Sequence, residues 1–154
     1  MCPQNRDSID KNGGKMHKIK VWFRRKYLFW KYKHNYGTGK VIITKESDRQ
    51  LGLTTMMIDD CLRRDCRLFV PNEIAKEHII RELHKRVNGS CFTTSINPYD
   101  YVISVHDIVM GKFRGQRNVK IIVDNQCKFK DVERVIDGTN YAIVNGFIYC
   151  GYAK

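Results

Sequence analysis

Long hydrophobic runs are what this sequence most clearly lacks. No segment has the roughly 18 uninterrupted apolar residues that a transmembrane helix needs. The chain also does not open with an apolar signal-peptide core followed by a cleavage site. Both absences argue against secretion and membrane spanning, and we expect a cytoplasmic protein of one domain, because 154 residues can bury a core without disulfides or metals.

The six cysteines form no recognisable metal or disulfide pattern. There is no CxxC pair and no Cys/His cluster with zinc spacing, and the closest two cysteines are Cys61 and Cys66. We therefore expect reduced thiols that are buried or half-buried. No Ser–His–Asp or Cys–His arrangement can be assembled from the spacing either, so nothing here indicates a nucleophilic hydrolase.

Acidic residues are missing from the segment that carries most of the positive charge. Residues 15–40 hold nine Lys or Arg and no Asp or Glu. The net charge of the whole chain is +12, whereas residues 41–154, with 17 bases and 14 acids, contribute only +3. Positive charge concentrated in this way favours a polyanionic partner.

Within that segment, residues 15–36 interleave bases with aromatic residues. Their apolar spacing fits one face of a helix, but residues 19–23 also alternate as a strand would. The bases can neutralise phosphates and release counterions, and the aromatic rings can stack on unpaired bases. The candidate nucleic-acid-binding residues of the segment are Lys18, Lys20, Trp22, Arg24, Arg25, Lys26, Trp30, Lys31 and Lys33.

Two other interpretations of this segment stay open. A basic amphipathic helix can lie on an anionic membrane surface. Alternatively, the aromatic residues pack against the rest of the protein while the bases stay in water. Arg114 and Arg117, in the later loop GKFRGQRN, would extend a basic nucleic-acid-binding surface, although the sequence does not tell at which end of a sheet this loop lies.

Glycine, proline and asparagine divide the rest of the chain into alternating strands and helices. We expect a flexible leader over residues 1–14, a basic aromatic extension over 15–36 and one domain over 37–154. Such alternation predicts an α/β fold, a small and mostly parallel sheet with helices on both faces. The expected strands are residues 40–44, 67–70 and 119–123, with further strands around 90–94 and within 141–153; the expected helices are 54–65 and 73–87, and residues 99–110 form a mixed stretch.

The loop after the first expected strand has the length and context of a phosphate-binding P-loop. That motif, G-x-x-x-x-G-K-[ST], wraps a phosphate with backbone N–H groups, supplies a lysine charge and binds Mg²⁺ through its hydroxyl. Residues 47–54 (SDRQLGLT) keep the second glycine and the threonine but lack the first glycine and the lysine. If the site binds a nucleotide, its candidate residues are Ser47, Arg49, Gly52, Leu53, Thr54 and Thr55.

A second element of such a site is an apolar strand that ends in an aspartate. Residues 120–124 (KIIVD) have this form, and Asp124 would hold Mg²⁺ through water. The next residue is Asn125, where a glutamate commonly orients the attacking water. ATP and Mg²⁺ are therefore the candidate cofactors, with Thr54 and Asp124 as the candidate magnesium residues.

The two segments DRQLGLTTMMIDDCLRR…RLFVPNEIAKEHI and MGKFRGQRNVKIIVDN resemble the small phage-encoded P-loop ATPases, over roughly residues 37–125. The resemblance implies a P-loop NTPase-like fold and the cytoplasm of a host cell. It also implies that Thr54 is the magnesium-binding hydroxyl and Asp124 the carboxylate of the second element. The family has a lysine where this chain has Leu53.

Three outcomes for this loop follow. In the first, a substitute cation such as Arg49 or Lys45 restores hydrolysis. In the second, a nucleotide binds without turnover, and in the third the loop is a structural remnant that binds no nucleotide. Phosphoryl transfer is catalysed almost entirely by electrostatics, so loss of the lysine favours the remnant. The leading hypothesis is a non-catalytic, nucleic-acid-associated protein on a degenerate P-loop scaffold. The alternatives are a weak or atypical NTP-binding protein or NTPase, and a protein that docks on or inhibits a host factor.

Overall fold

Helices and strands alternate along the computed structural model, which describes residues 11–89, 97–112 and 114–150. Short 3₁₀ turns lie at Glu46–Asp48 and Pro98–Asp100. In chain order the main elements are α1 (Lys11–Asn35), β1 (Ile42–Thr44), α2 (Leu53–Arg64), β2 (Arg67–Val70), α3 (Glu73–Gly89), β3 (Val102–Ser104), α4 (Val105–Val109), β4 (Lys120–Val123), α5 (Phe129–Gly138) and β5 (Ala142–Tyr149).

The five strands form one sheet in the order β1-β5-β4-β2-β3, and every neighbouring pair is parallel. The predicted α/β class with a mainly parallel sheet is thus confirmed. Because all the strands point the same way, their carboxyl ends lie at a single edge of the sheet. The segments that follow the strands therefore begin at that edge, where α/β proteins bind ligands.

Helices cover both faces of this sheet. Strands β2, β3 and β4 are buried on both sides over most of their length, so consecutive side chains enter opposite cores. Leu68 and Val70 of β2 pack in one core beneath α1, α2 and α3, whereas Phe69 packs in the other with α4 and α5. Asn72 accepts a hydrogen bond from the Ala75 N–H (2.9 Å), so its side chain caps the N-terminus of α3.

The basic aromatic segment is a helix, so the strand interpretation of residues 19–23 is wrong. Helix α1 begins at Lys11, within the stretch expected to be a flexible leader; residues 1–10 lie outside the described ranges. Its second half packs on the sheet through Leu28 and Tyr32, and the Tyr32 ring stacks on Phe147 at 5.4 Å. The segment is therefore partly built into the core rather than appended to it.

Other differences from the sequence-based expectations are local. Residues 99–110 contain β3 and α4, and α5 was not predicted, although Val132 and Val135 have helical spacing and are buried. The tail forms one strand, β5, within the described residues. The strand expected around residues 90–94 lies outside them. None of the described helices has both the length and the apolar character required to cross a membrane.

Strand β5 carries a bulge that brings its backbone very close to β4. The ladder shifts register at Asn145, whose side chain donates to the Tyr32 carbonyl (2.8 Å) and accepts from the Gly146 N–H (2.9 Å). Gly146 has φ of 142°, and a Cβ there would lie 2.5 Å from the backbone nitrogen and oxygen of Val123. This contact leaves no space for a side chain.

We expect Gly146→Ala to lower the free energy of unfolding by about 3 kcal/mol, because neither neighbouring backbone can move without breaking the ladder. Urea denaturation followed by circular dichroism measures the change. The control is Gly14→Ala, at an exposed position of α1 where a Cβ meets nothing within 4 Å, and its stability should be unchanged or slightly higher. Equal stability of the two variants would contradict the close approach.

Candidate functional site

The switch point of the sheet lies between β4 and β2. Helix α5, which follows β4, packs on one face, and α3, which follows β2, packs on the other. Ligands of open α/β sheets bind in the crevice that such a divergence creates at the carboxyl edge. Asp124 is the first residue after β4, so its carboxylate lies at this point.

The structure brings together the two candidate magnesium residues. The Thr54 hydroxyl, in the first turn of α2, donates to Asp124 Oδ1 at 2.9 Å, and the Gln126 N–H donates to Oδ2 at 3.2 Å. Burial raises the pKa of the fully buried Asp124 carboxyl, and these hydrogen bonds offset part of that effect. None of the ion pairs recorded for the described residues includes Asp124.

These two groups do not make a complete metal site by themselves. Within the described ranges, no group of three or more His, Cys, Asp or Glu is placed to hold a metal ion. In nucleotide sites, however, Mg²⁺ takes most of its ligands from phosphates and water. One hydroxyl and one carboxylate therefore fit such an ion only when a phosphate supplies the remaining ligands.

Asn125, which stands in place of a water-orienting glutamate, is itself engaged. Its Oδ1 accepts a hydrogen bond from the Thr44 hydroxyl at 2.5 Å, and both residues are buried. The Thr44 hydroxyl also lies 3.2 Å from the Ile148 carbonyl. This contact ties the ends of β1 and β4 across β5 and offers no base to activate water.

The loop between β1 and α2 is folded in on itself. The N–H groups of Asp48, Arg49 and Leu51 donate to carbonyls within the same loop, at 3.0, 3.2 and 3.3 Å. A phosphate-binding loop instead directs its N–H groups toward a central anion. Three of its donors are thus used internally, although Gly52 keeps the left-handed conformation, with φ of 75°, that precedes the helix.

Leu53 lies in the core. Its side chain is 1% exposed and belongs to the core cluster shared by α1, α2 and α3. The P-loop motif requires an ammonium that faces the phosphate from this position. Here the first residue of α2 instead anchors the helix to the sheet.

We expect Leu53→Lys to lower the free energy of unfolding by about 3–5 kcal/mol, because it removes a buried apolar side chain and introduces an amine with no partner. Leu53→Met keeps the volume and apolar character, and should cost less than about 1.5 kcal/mol. Urea denaturation of both variants at neutral pH measures the difference. A stable Leu53→Lys variant would mean that this side chain can leave the core and face the loop.

Arg24, one of the candidate nucleic-acid-binding residues, forms a bidentate contact with the loop. Its Nε and Nη2 donate to the two oxygens of Asp48, both at 2.9 Å, and the Asp48 side chain is only 1% exposed. Burial opposes ionisation of Asp48, but hydrogen bonds from Arg24 and the Lys45 N–H outweigh it, so its pKa lies below the ordinary value. This pair fixes α1 against the loop.

The remaining nucleotide-site candidates, Ser47, Arg49 and Thr55, are exposed. Arg49, the one cation among the three, already has partners. Its Nη1 lies 3.1 Å from Glu46 Oε1, and its guanidinium lies 4.3 Å from the centre of the Tyr149 ring.

The surface of α1 is both aromatic and basic. Trp22, Phe23, Tyr27 and Trp30 are each about half exposed, between 47% and 62%. Packing of the aromatic residues on the core, one of the sequence-based alternatives, is therefore wrong for these four. Among the candidate bases the exposed ones are Lys18, Lys20, Arg25, Lys26 and Lys33, while Lys31 is half-buried.

The two arginines of the GKFRGQRN loop are not brought together with this surface. Arg114 and Arg117 are exposed and line a cleft with Thr139 and Asn140. Arg117 precedes β4, and Asn140 precedes β5, so the cleft lies toward the amino edge of the sheet. The first half of α1, by contrast, lies beside the loop at the carboxyl edge.

No family model, curated protein or solved structure was found to match this chain. The fold and the site define an all-parallel α/β protein with a threonine–aspartate pair at its switch point and a basic aromatic helix fixed to one face.

Proposed function

We propose that this protein is a non-catalytic, nucleic-acid-binding protein built on a degenerate P-loop-like α/β scaffold. The observation that carries the proposal is the exposed row of aromatic rings and bases on α1. Because Leu28 and Tyr32 hold the helix on the sheet, this surface is fixed in place. A fixed surface loses less conformational entropy on binding than a disordered basic tail would.

Rings and cations alternate along this helix in direct contact. Lys26 Nζ lies 5.6 Å from the Trp22 ring, and Lys31 Nζ lies 5.8 Å from the Tyr27 ring. A single-stranded nucleic acid presents the complementary pattern, flat bases that stack and phosphates that pair with cations. Helix α1 carries no acidic residue between positions 11 and 35, so nothing on it repels a phosphate backbone.

A membrane surface fits this helix less well. Interfacial helices separate a continuous apolar face from a charged face. On α1, Lys20 and Lys26 each lie three residues from Phe23, so bases and exposed aromatic residues share one side. Mixing of this kind suits a ligand that alternates charge and rings.

The non-catalytic part of the proposal rests on the state of the loop. Leu53 is buried, Arg24 is paired with Asp48, and Asn125 is bonded to Thr44. The position of the motif lysine is therefore used for packing, and the position of the water-orienting glutamate for an internal contact. Transfer catalysis depends on charges directed at the phosphoryl group.

We expect the protein to bind a fluorescein-labelled oligo(dT) with an affinity that falls steeply with salt. Replacing Lys20, Lys26 and Lys33 together by Gln should reduce the slope of log K against log[NaCl] by about 2, since each phosphate contact contributes roughly 0.7 on a single strand. Fluorescence anisotropy between 50 and 200 mM NaCl measures both quantities.

The matched control removes three bases outside α1, with Lys85, Lys128 and Lys130 replaced by Gln, because these residues are also exposed. Its slope should stay close to that of the wild type. Equal slopes for the two triple variants would show that net charge alone matters. Absence of oligonucleotide binding at 50 mM NaCl would contradict the proposed function.

A second candidate function, Mg²⁺-dependent nucleotide binding, is favoured by one observation, the 2.9 Å contact of Thr54 with Asp124 at the switch point. This candidate predicts that ATP binds with Mg²⁺ and that Asp124→Asn abolishes binding. Asp137→Asn, which changes an exposed carboxylate elsewhere, is the control and should bind as wild type does. Isothermal titration calorimetry with ATP and Mg²⁺ at neutral pH measures this binding. The first proposal concerns turnover, and it predicts no Mg²⁺-dependent ATP hydrolysis by any of the three proteins.

A further inference from the structure

A groove of about 1010 Å³ lies between the first half of α1 and the loop that follows β1. One wall consists mainly of Lys18, Val21, Trp22 and Arg25, and the other is formed by loop residues between 46 and 51. Its volume is at the upper end of the range of small-molecule sites.

The groove exists because α1 extends past the carboxyl edge of the sheet. Positions 18, 21, 22 and 25 follow the i, i+3, i+4, i+7 spacing of one helical face. That same face continues to Leu28 and Tyr32, which are buried on the sheet. Beyond the sheet, this face of α1 lies opposite the loop, and the space between them is the groove.

The groove is rich in cations. Arg25 is exposed, and its Nη2 lies 3.8 Å from the position that a Cβ on Gly52 would take, beside the N-terminus of α2. Lys18 lies on the same wall, whereas Arg49, on the other wall, is paired with Glu46. The one acid among the described lining residues, Glu46, is already bonded by Arg49 and by the Tyr149 hydroxyl.

An aromatic surface stands next to these cations. Trp22 lines the groove and is 54% exposed, with Lys26 Nζ at 5.6 Å from its ring. A ring within reach of several cations matches one repeating unit of a nucleic acid, a base with its flanking phosphates. A paired base in a duplex has no free face to offer such a ring.

We propose that this groove binds a single-stranded polynucleotide, with a base stacked on Trp22 and the adjacent phosphates on Lys18 and Arg25. The inference rests on the proposed function and adds the place and the class of strand. The loop that follows β1 forms the second wall of this binding groove.

The two tryptophans of the chain make the position of the ligand measurable. Trp30→Phe leaves Trp22 as the only indole, and Trp22→Phe leaves only Trp30. Titration of oligo(dT) at 50 mM NaCl should quench the emission of the Trp22-only variant at the stoichiometry found by anisotropy. Trp22→Ala should weaken binding about tenfold, as loss of one stacked base does.

The charged wall is tested with two double variants that remove equal charge. Lys18→Ala with Arg25→Ala should weaken oligo(dT) binding at least tenfold and reduce the salt slope by about 1.4, the value for two lost contacts. Arg63→Ala with Arg81→Ala, at exposed positions on α2 and α3, should leave both close to wild type. Melting curves of both variants separate lost binding from lost folding.

Each failure has a distinct form. In one outcome, oligo(dT) binds with steep salt dependence, Trp22 emission is unchanged, and the two double variants lose affinity equally. The groove is then not the binding site, but the proposed function stands. If duplex DNA binds as tightly as oligo(dT), or ATP quenches Trp22 at equal concentration, the single-stranded polynucleotide is wrong. If no nucleic acid binds at all, both proposals fall.

Discussion

The attachment of α1 to the sheet is the interaction on which the other features depend. Leu28 and Tyr32 bury one face of the helix against the core, and the bidentate Arg24–Asp48 pair fixes the helix to the loop after β1. Half of α1 is thereby held, and the other half, about 20 Å long at 1.5 Å per residue, extends beyond the carboxyl edge. Loss of Arg24 would leave the buried Asp48 carboxylate without its charged partner, which is costly.

This attachment also decides the state of the loop. Asp48 turns inward to meet Arg24, and the loop closes with 3₁₀-type bonds instead of presenting its N–H groups to an external anion. Leu53 completes the core beneath α1. The positions at which the sequence resembles a phosphate-binding loop are thus mostly used for packing and internal contacts, and Thr54 and Asp124 meet at the switch point.

Much of the fold was readable from the sequence because it depends on local patterns. The buried strands and the helices between them predicted the parallel sheet, and Thr54 and Asp124 were singled out and do meet. Helix α5 was missed although Val132 and Val135 carried a helical signal. The role of Arg24 had no such signal, because its partner lies 24 residues away and nothing in either local pattern links the two.

The sequence alone determined the α/β class and the concentration of positive charge in residues 15–40, since these follow from composition and short-range spacing. Only the tertiary structure decided which side chains of α1 are buried and which are exposed, and that Leu53 belongs to the core. Those outcomes depend on which surface the helix meets. Contacts between segments that are distant in the chain decide which surface α1 packs against, and the local spacing of apolar residues does not reveal it.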